Sequence, residues 1–153
     1  MLVLPERISV HAVSSLGTQR GVGGVLVSLR TLRHGSAYYS TALGLTDTEG
    51  WIRVGGETIQ QAFTRNQDLF PFDYRVALED CDPEIEIYAR GGADFERWRA
   101  ETSHSTLVRS DVKSWYDNAR NGEFESTSRR AELSTDTALA DVMVELEMRS
   151  RVP

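Results

Sequence analysis

Cysteine and lysine are almost missing from this 153-residue chain, which has one of each, Cys81 and Lys113. A lone cysteine excludes an intrachain disulfide and any metal site built on several thiolates. The other basic residues are all arginines, and arginine is enriched in protein interfaces whereas lysine is depleted there. The basic side chains therefore favour a protein partner.

Long hydrophobic runs are also missing. No apolar stretch approaches the roughly 20 residues that span a bilayer, so we expect no membrane insertion. Residues 1–7 have neither the basic start nor the apolar core of a secretory signal peptide. We therefore expect a cytoplasmic protein, or one that is exported without a Sec signal as part of an assembly.

Basic residues are fewer than acidic ones, 17 against 23, and the formal net charge is −6. Binding to a nucleic acid needs a concentrated basic face, because its phosphates carry the negative charge. We therefore expect no nucleic-acid partner. With 40% hydrophobic and 26% charged residues, the composition is that of a globular domain rather than a disordered chain.

What the sequence does contain is a succession of short segments in which apolar and polar residues alternate, the pattern of a half-buried strand. Turn residues separate them, such as the glycines at 21–24 and the segment Thr46–Gly50, where Asp47 can accept hydrogen bonds from amides two residues on. The predicted strands are 8–13, 25–32, 38–46, 51–54, 73–79, 84–89 and 95–100.

Two segments have helical spacing instead. Residues 59–69 predict a short helix with Thr58 as its N-cap, and residues 111–120 carry an apolar stripe on one helical face. The polar residues 123–136 predict a loop. Residues 142–149 alternate and predict a closing strand, with a helix as the alternative.

Short strands at regular intervals with little helix are typical of an all-β protein. We expect an antiparallel β-sandwich of about seven strands with one or two short inserted helices. The chain is predicted to form a single domain over residues 1–153. Its core would comprise residues 7–89 and the closing strand 142–149, and residues 90–140 would form an irregular extension.

Motifs for cofactors and metals are missing. The three histidines are not paired at spacings that bind zinc, and the acidic run 79–86 lacks the glycine and spacing of a calcium loop. The glycine cluster is not followed by a helix that could hold a phosphate. No Gly-x-Ser-x-Gly elbow is present. We expect no metal and no cofactor, and we interpret the acidic run as a solvated turn.

Arginines and large aromatic residues, the types enriched in binding hot spots, concentrate in the later third of the chain. We expect this group to contact a protein partner or a second copy in a homo-oligomer, although the two tryptophans could equally be core residues. An exposed tryptophan or tyrosine could alternatively stack on a sugar. The group consists of Arg97, Trp98, Arg99, Trp115 and Tyr116.

Five segments follow one another in a characteristic order: a first strand, a glycine turn with a Val-x-Leu strand, a Thr-Asp-x-x-Gly hairpin, a Tyr-x-Val strand and an Ile-x-Ile strand. They are Ile8–Val13, Gly24–Leu29, Thr46–Trp51, Asp73–Val76 and Pro83–Ile87. In this order they resemble the transthyretin-like (prealbumin) sandwich, a group that includes the carboxypeptidase regulatory-like and Cna-B-type domains. The resemblance implies a scaffold used for adhesion, assembly or recognition more often than for chemistry.

One enzyme branch of this group, the 5-hydroxyisourate hydrolases, is similar over the first strand. The resemblance implies His11 as an active-site histidine and Arg53 as its arginine, with His104 as a further candidate. The chain lacks that branch's His-x-Pro-Leu-Leu segment and its Tyr-Arg-Gly-Ser tail. Our expectation is therefore a non-enzymatic module for protein–protein contact, a structural subunit of a larger assembly. The alternatives are a small hydrolase and a carbohydrate-binding module.

Overall fold

The computed structural model describes residues 4–14, 20–65, 78–93, 124–133 and 141–150. These residues form seven strands and one helix. In chain order the elements are β1 (Arg7–Ser14), β2 (Gly23–Arg33), β3 (Ser36–Leu45), β4 (Trp51–Gly55), α1 (Gly56–Arg65), β5 (Glu84–Ala93), β6 (Phe124–Glu132) and β7 (Asp141–Met148).

The strands form two sheets, one of three strands in the order β4-β1-β7 and one of four in the order β3-β2-β5-β6. Inward-pointing side chains of both sheets and of α1 make one hydrophobic core, so the predicted all-β sandwich is confirmed. One pairing departs from the antiparallel expectation, because β1 and β7 run parallel, with Arg7 aligned with Asp141 and Ser14 with Met148.

Alternation determines which residues enter this core. Ile8, Val10 and Ala12 of β1 have no exposed surface, as the alternation predicted, and Val144 and Leu146 of β7 also point inward. The expected closing strand at 142–149 is therefore confirmed. Within the residues described, no helix has the length and apolar character needed to cross a bilayer.

Helix α1 closes the side of the sandwich where β3 and β4 diverge. Its buried residues Ile59, Ala62 and Phe63 enter the core. Two buried side chains of β3 donate hydrogen bonds to its last turns, Thr41 Oγ1 to the Ala62 carbonyl at 2.8 Å and Tyr39 Oη to the Phe63 carbonyl at 3.0 Å. Because the last turn of a helix has unpaired carbonyls, these bonds fasten α1 to β3.

Two predicted boundaries were wrong. The helix begins at Gly56, so Thr58 lies within its first turn instead of capping it. Leu78 and Glu79 lie in a helical turn rather than in a strand 73–79, and residues 66–77 are outside the described part of the chain.

Within the loop predicted for residues 123–136, Phe124–Glu132 form β6, which pairs antiparallel with β5. Residues 90–140 are therefore not irregular throughout, since β5 also continues to Ala93. Most side chains of β6 are exposed, and backbone pairing rather than side-chain burial forms this strand. The predicted strand 95–100 and helix 111–120 lie outside the described residues.

Candidate functional site

The outer face of the three-stranded sheet carries a ring stack, a cation–π contact and an ion pair. The residues that alternate with the core residues point away from the sandwich here. We call this surface the outer face. Its accessible side chains are Trp51 and Arg53 on β4, Arg7 and His11 on β1, and Asp141, Met143, Glu145 and Glu147 on β7; the outward residues Ser9 and Val13 of β1 are buried.

A stack of three side chains occupies the β1–β4 side of this face. His11 and Trp51 are directly opposite each other in the strand register, and their rings are parallel, with centroids 4.1 Å apart and planes 4° apart. The Arg53 guanidinium lies over the same indole at 4.1 Å from the ring centroid. The electron-rich face of the indole attracts the guanidinium cation, and the parallel His11 and Trp51 rings gain dispersion contact.

The hairpin that precedes β4 holds Trp51 in place. One carboxylate oxygen of Asp47 accepts hydrogen bonds from the amides of Glu49 (2.9 Å) and Trp51 (3.0 Å), as the sequence predicted for this turn. Gly50 supplies the left-handed conformation, with φ at 86°. The indole therefore leaves the turn at a fixed point beside β1.

His11 is held by a backbone hydrogen bond and by a ring contact. Its Nε2 lies 3.1 Å from the backbone carbonyl of Glu49, and because a carbonyl can only accept, Nε2 carries the proton. One ring face is covered by Trp51.

Charge divides the outer face into two halves. The exposed Arg53 and Arg7 lie on β4 and β1, whereas β7 presents Glu145 and Glu147. Among the described residues, an ion pair crosses this division once, between Arg7 and Asp141 at 3.8 Å. The carboxylates of Glu145 and Glu147 have no cationic partner within that part of the chain.

Met143 lies on β7 between Asp141 and Glu145 and is 72% exposed, the most exposed large hydrophobic side chain in the described residues. It is aligned with Ser9 of the central strand. Trp51 is half-buried across the sheet. Large side chains with exposed apolar surface flanked by charges are typical of a contact surface.

The acidic run of the sequence does not gather into a cation site. Asp82 accepts hydrogen bonds from the amides of Gly35 (2.9 Å) and His34 (3.1 Å) at the β2–β3 turn, and these bonds, Gly35 first, lower the pKa of its carboxyl. Glu86 accepts from Arg30 at 3.3 Å and Arg130 at 3.5 Å. In the described ranges no group of three or more possible ligands could hold a metal ion.

Two open grooves lie elsewhere on the sandwich. One, of about 390 Å³, runs between β6 and β7 and is lined by polar and charged residues, with Arg129 donating across it to the Glu145 carbonyl at 3.1 Å. The other, of about 620 Å³, lies beside Asp82 and Leu133. Neither groove is lined by His11 or Arg53, the described residues that the sequence suggested for catalysis.

Cys81 is buried next to the second groove. Burial raises the pKa of its thiol, and the nearby carboxylates of Asp82 and Asp80 act in the same direction, against a hydrogen bond from Thr31. A thiol that resists ionisation is a weak nucleophile.

The structure brings together two of the predicted site residues, His11 and Arg53, on either side of a third residue, Trp51, that sequence reasoning did not select. Met143 was also missed. Its signal was its outward position in the alternation of 142–149. The other predicted contact or catalytic residues lie outside the described residues; they are Arg97, Trp98, Arg99, His104, Trp115 and Tyr116.

Comparison with known proteins adds no relative: no protein-family model matches the chain, and no curated protein matches it.

Proposed function

We propose that this protein is a non-enzymatic β-sandwich module that makes protein–protein contacts, and that the outer face of its three-stranded sheet is a contact surface. The observation that carries this proposal is that one face presents an exposed Met143 on β7 and the Trp51–Arg53 stack on β4, on either side of β1. Tryptophan, arginine and methionine are the side chains enriched in protein interfaces.

The state of His11 supports contact rather than hydrolysis. Its Nε2 proton is directed to the Glu49 carbonyl, and Trp51 covers its ring. The guanidinium of Arg53 lies on the indole, not beside the imidazole. The same coverage disfavours a sugar site, because a sugar needs an open aromatic face.

The transthyretin-like resemblance fits this role and remains a prediction. Four of its segments lie, in the expected order, on β1, on β2, on the β3–β4 turn and at the start of β5. The fifth, Asp73–Val76, is outside the described residues. The resemblance implies recognition or assembly, which is the function proposed here.

The test is capture of binding proteins from a lysate of the source organism with the immobilised wild-type chain, a Trp51→Ala variant and a Tyr88→Ala control. Tyr88 is a matched aromatic, since it lies on the four-stranded sheet with the Arg30 guanidinium 3.8 Å from its ring centroid. A protein retained by wild type and Tyr88→Ala but lost with Trp51→Ala supports the proposal. The proposal is contradicted if wild type and Trp51→Ala retain the same proteins equally and also self-associate equally.

A further inference from the structure

Met143 combines an exposed position with an oxidisable sulfur, and this combination marks it as a modification site. We propose that peroxide oxidises Met143 to methionine sulfoxide in the folded chain and that this modification weakens the contact made by the outer face. The inference rests on the contact function proposed above and adds a means by which that contact is regulated.

The two described methionines lie on the same strand and differ sharply in exposure. Met143 occupies an outward position of β7 and is 72% exposed, whereas Met148 points inward from that strand and has no exposed surface. Ser9, the residue aligned with Met143 on β1, is small and buried, so it leaves the thioether open to solvent. Dissolved peroxide therefore reaches the sulfur of Met143 without any unfolding. Met1 lies outside the described residues.

The remaining sulfur among the described residues does not compete for the oxidant. Cys81 is buried, and desolvation by this burial is the main cause of the raised pKa of its thiol. Peroxide attacks a thiolate rather than a neutral thiol. A thioether has no proton to lose, so its oxidation does not depend on ionisation. Met143 is thus the sulfur that this part of the chain offers to an oxidant.

The reaction transfers one oxygen atom. A lone pair of the thioether sulfur attacks one oxygen of hydrogen peroxide, the O–O bond breaks, an S–O bond forms and the other oxygen leaves as water. The sulfur loses two electrons and the peroxide gains them. Methionine sulfoxide reductases reverse the change; the oxygen then leaves as water while two thiols are oxidised to a disulfide. The modification can therefore act as a switch rather than as permanent damage.

Oxidation changes the side chain from apolar to polar. Its outward neighbours along β7 are Asp141 and Glu145, and ionised carboxylates accept hydrogen bonds but cannot donate one to the sulfoxide oxygen. In the free chain water solvates that oxygen, so the fold should be unaffected. In a contact the oxygen loses its water, which is costly, and the apolar gain of burying the methionine is lost. We expect binding to weaken about tenfold.

Peptide mass spectrometry of the full chain, sampled during treatment with hydrogen peroxide, tests the site. In the folded chain Met143 should be oxidised at least about tenfold faster than Met148, because exposure controls the reaction. In concentrated urea, where burial is lost, the two rates should become equal. Circular dichroism of the chain oxidised at Met143 should match that of the untreated chain.

Lysate capture with peroxide-treated chains tests the effect on the contact. Oxidised wild type should retain about tenfold less of the protein whose capture depends on Trp51, and treatment with methionine sulfoxide reductases and dithiothreitol should restore retention. Met143→Leu has no sulfur at this position, so peroxide should not change its retention, whatever the untreated level is. Met148→Leu, a volume-conserving change in the core, should keep the wild-type response to peroxide.

Three results overturn the inference: equal oxidation of Met143 and Met148 in the folded chain, unchanged retention after Met143 is oxidised, or a peroxide response that persists in Met143→Leu. Trp51-dependent capture that survives oxidation overturns the inference and leaves the contact function standing. If untreated wild type captures no protein through Trp51, the contact function fails and its regulation fails with it, even where the oxidation is selective.

Discussion

Gly50 gives the sharpest test of how the outer face is positioned, because its conformation and its surroundings both exclude a side chain. Its φ is 86°, in the left-handed region. A Cβ placed there would lie 2.3 Å from the Ala12 carbonyl oxygen and 2.8 Å from the Gly21 Cα. Both neighbours are backbone atoms, which cannot rotate away as a side chain can. Gly50→Ala should therefore be strongly destabilising.

The cost can be worked out from these contacts. A non-glycine residue in this conformation costs about 1–2 kcal/mol. Relief of the clash requires the hairpin to move away from β1, which breaks the hydrogen bond from the Ala12 amide to the Gly50 carbonyl (2.8 Å) and strains the bond from Val22 to Ala12 (2.9 Å). Each bond contributes about 1 kcal/mol. The expected loss is about 3–4 kcal/mol of the free energy of unfolding.

Two other glycines separate the causes. Gly35 also has a positive φ, of 79°, but a Cβ there meets nothing within 4 Å, so Gly35→Ala should cost only about 1 kcal/mol. Gly55 has neither constraint, and Gly55→Ala should be neutral or stabilise by up to about 1 kcal/mol, because alanine reduces the entropy of the unfolded chain.

Urea unfolding followed by circular dichroism measures all three variants. With a slope of about 2 kcal/mol per molar urea, Gly50→Ala should shift the midpoint by about 1.5–2 M and Gly35→Ala by about 0.5 M. The reasoning is refuted if Gly50→Ala costs no more than Gly35→Ala, since the backbone clash would then contribute nothing.

Three further predictions concern the supports of the sandwich. Because hydrogen bonds from the turn amides lower the pKa of Asp82 in the folded chain, its carboxylate stabilises the fold above the unfolded pKa of 3.8, and this contribution is lost as pH falls through the lower folded value. Urea midpoints should thus separate wild type from Asp82→Asn near neutral pH, and the gap should shrink as pH falls below 3.8; a gap that does not change with pH would contradict the assignment. Thr41→Val removes the buried hydrogen bond to the Ala62 carbonyl and should lower the free energy of unfolding by about 1–2 kcal/mol, measured by urea unfolding. Its control, Thr58→Val on the exposed first turn of α1, should lower it by less than about 0.5 kcal/mol. Burial and a raised thiol pKa should make Cys81 react much more slowly with iodoacetamide in the folded chain than in urea, and equal rates would count against its buried position.

Strands that bury alternate side chains could be predicted from the sequence. Strand β6, which exposes most of its side chains, could not. β1 and β7 alternate clearly, and both were predicted within two residues of their ends. β6, in contrast, exposes most of its side chains, and its sequence Phe-Glu-Ser-Thr-Ser-Arg-Arg-Ala-Glu has no apolar alternation. A strand held by backbone bonds to a neighbour leaves little trace in side-chain pattern.

The candidate site was missed for a related reason. Alternation assigns His11, Trp51 and Arg53 to outward positions, but it does not say which strands are neighbours or in which register. Their stack depends on the alignment of His11 with Trp51 across two strands that are far apart in the chain. The same limit applies to β7, whose parallel pairing with β1 has no local signal.

The parallel pairing of β1 with β7 also constrains how the chain can fold. Arg7 is aligned with Asp141, so nearly the whole described chain lies between the partners of this pair. Closing so long a loop is entropically costly, and contacts between distant residues slow folding. Among the described strands, β1 is synthesised first and β7 last, so the three-stranded sheet is completed only after β7 has been made. Until then Ile8 and Val10 lack the β7 side chains that cover them in the core. The strand pairs that can already form are those of β2 with β3 and β5.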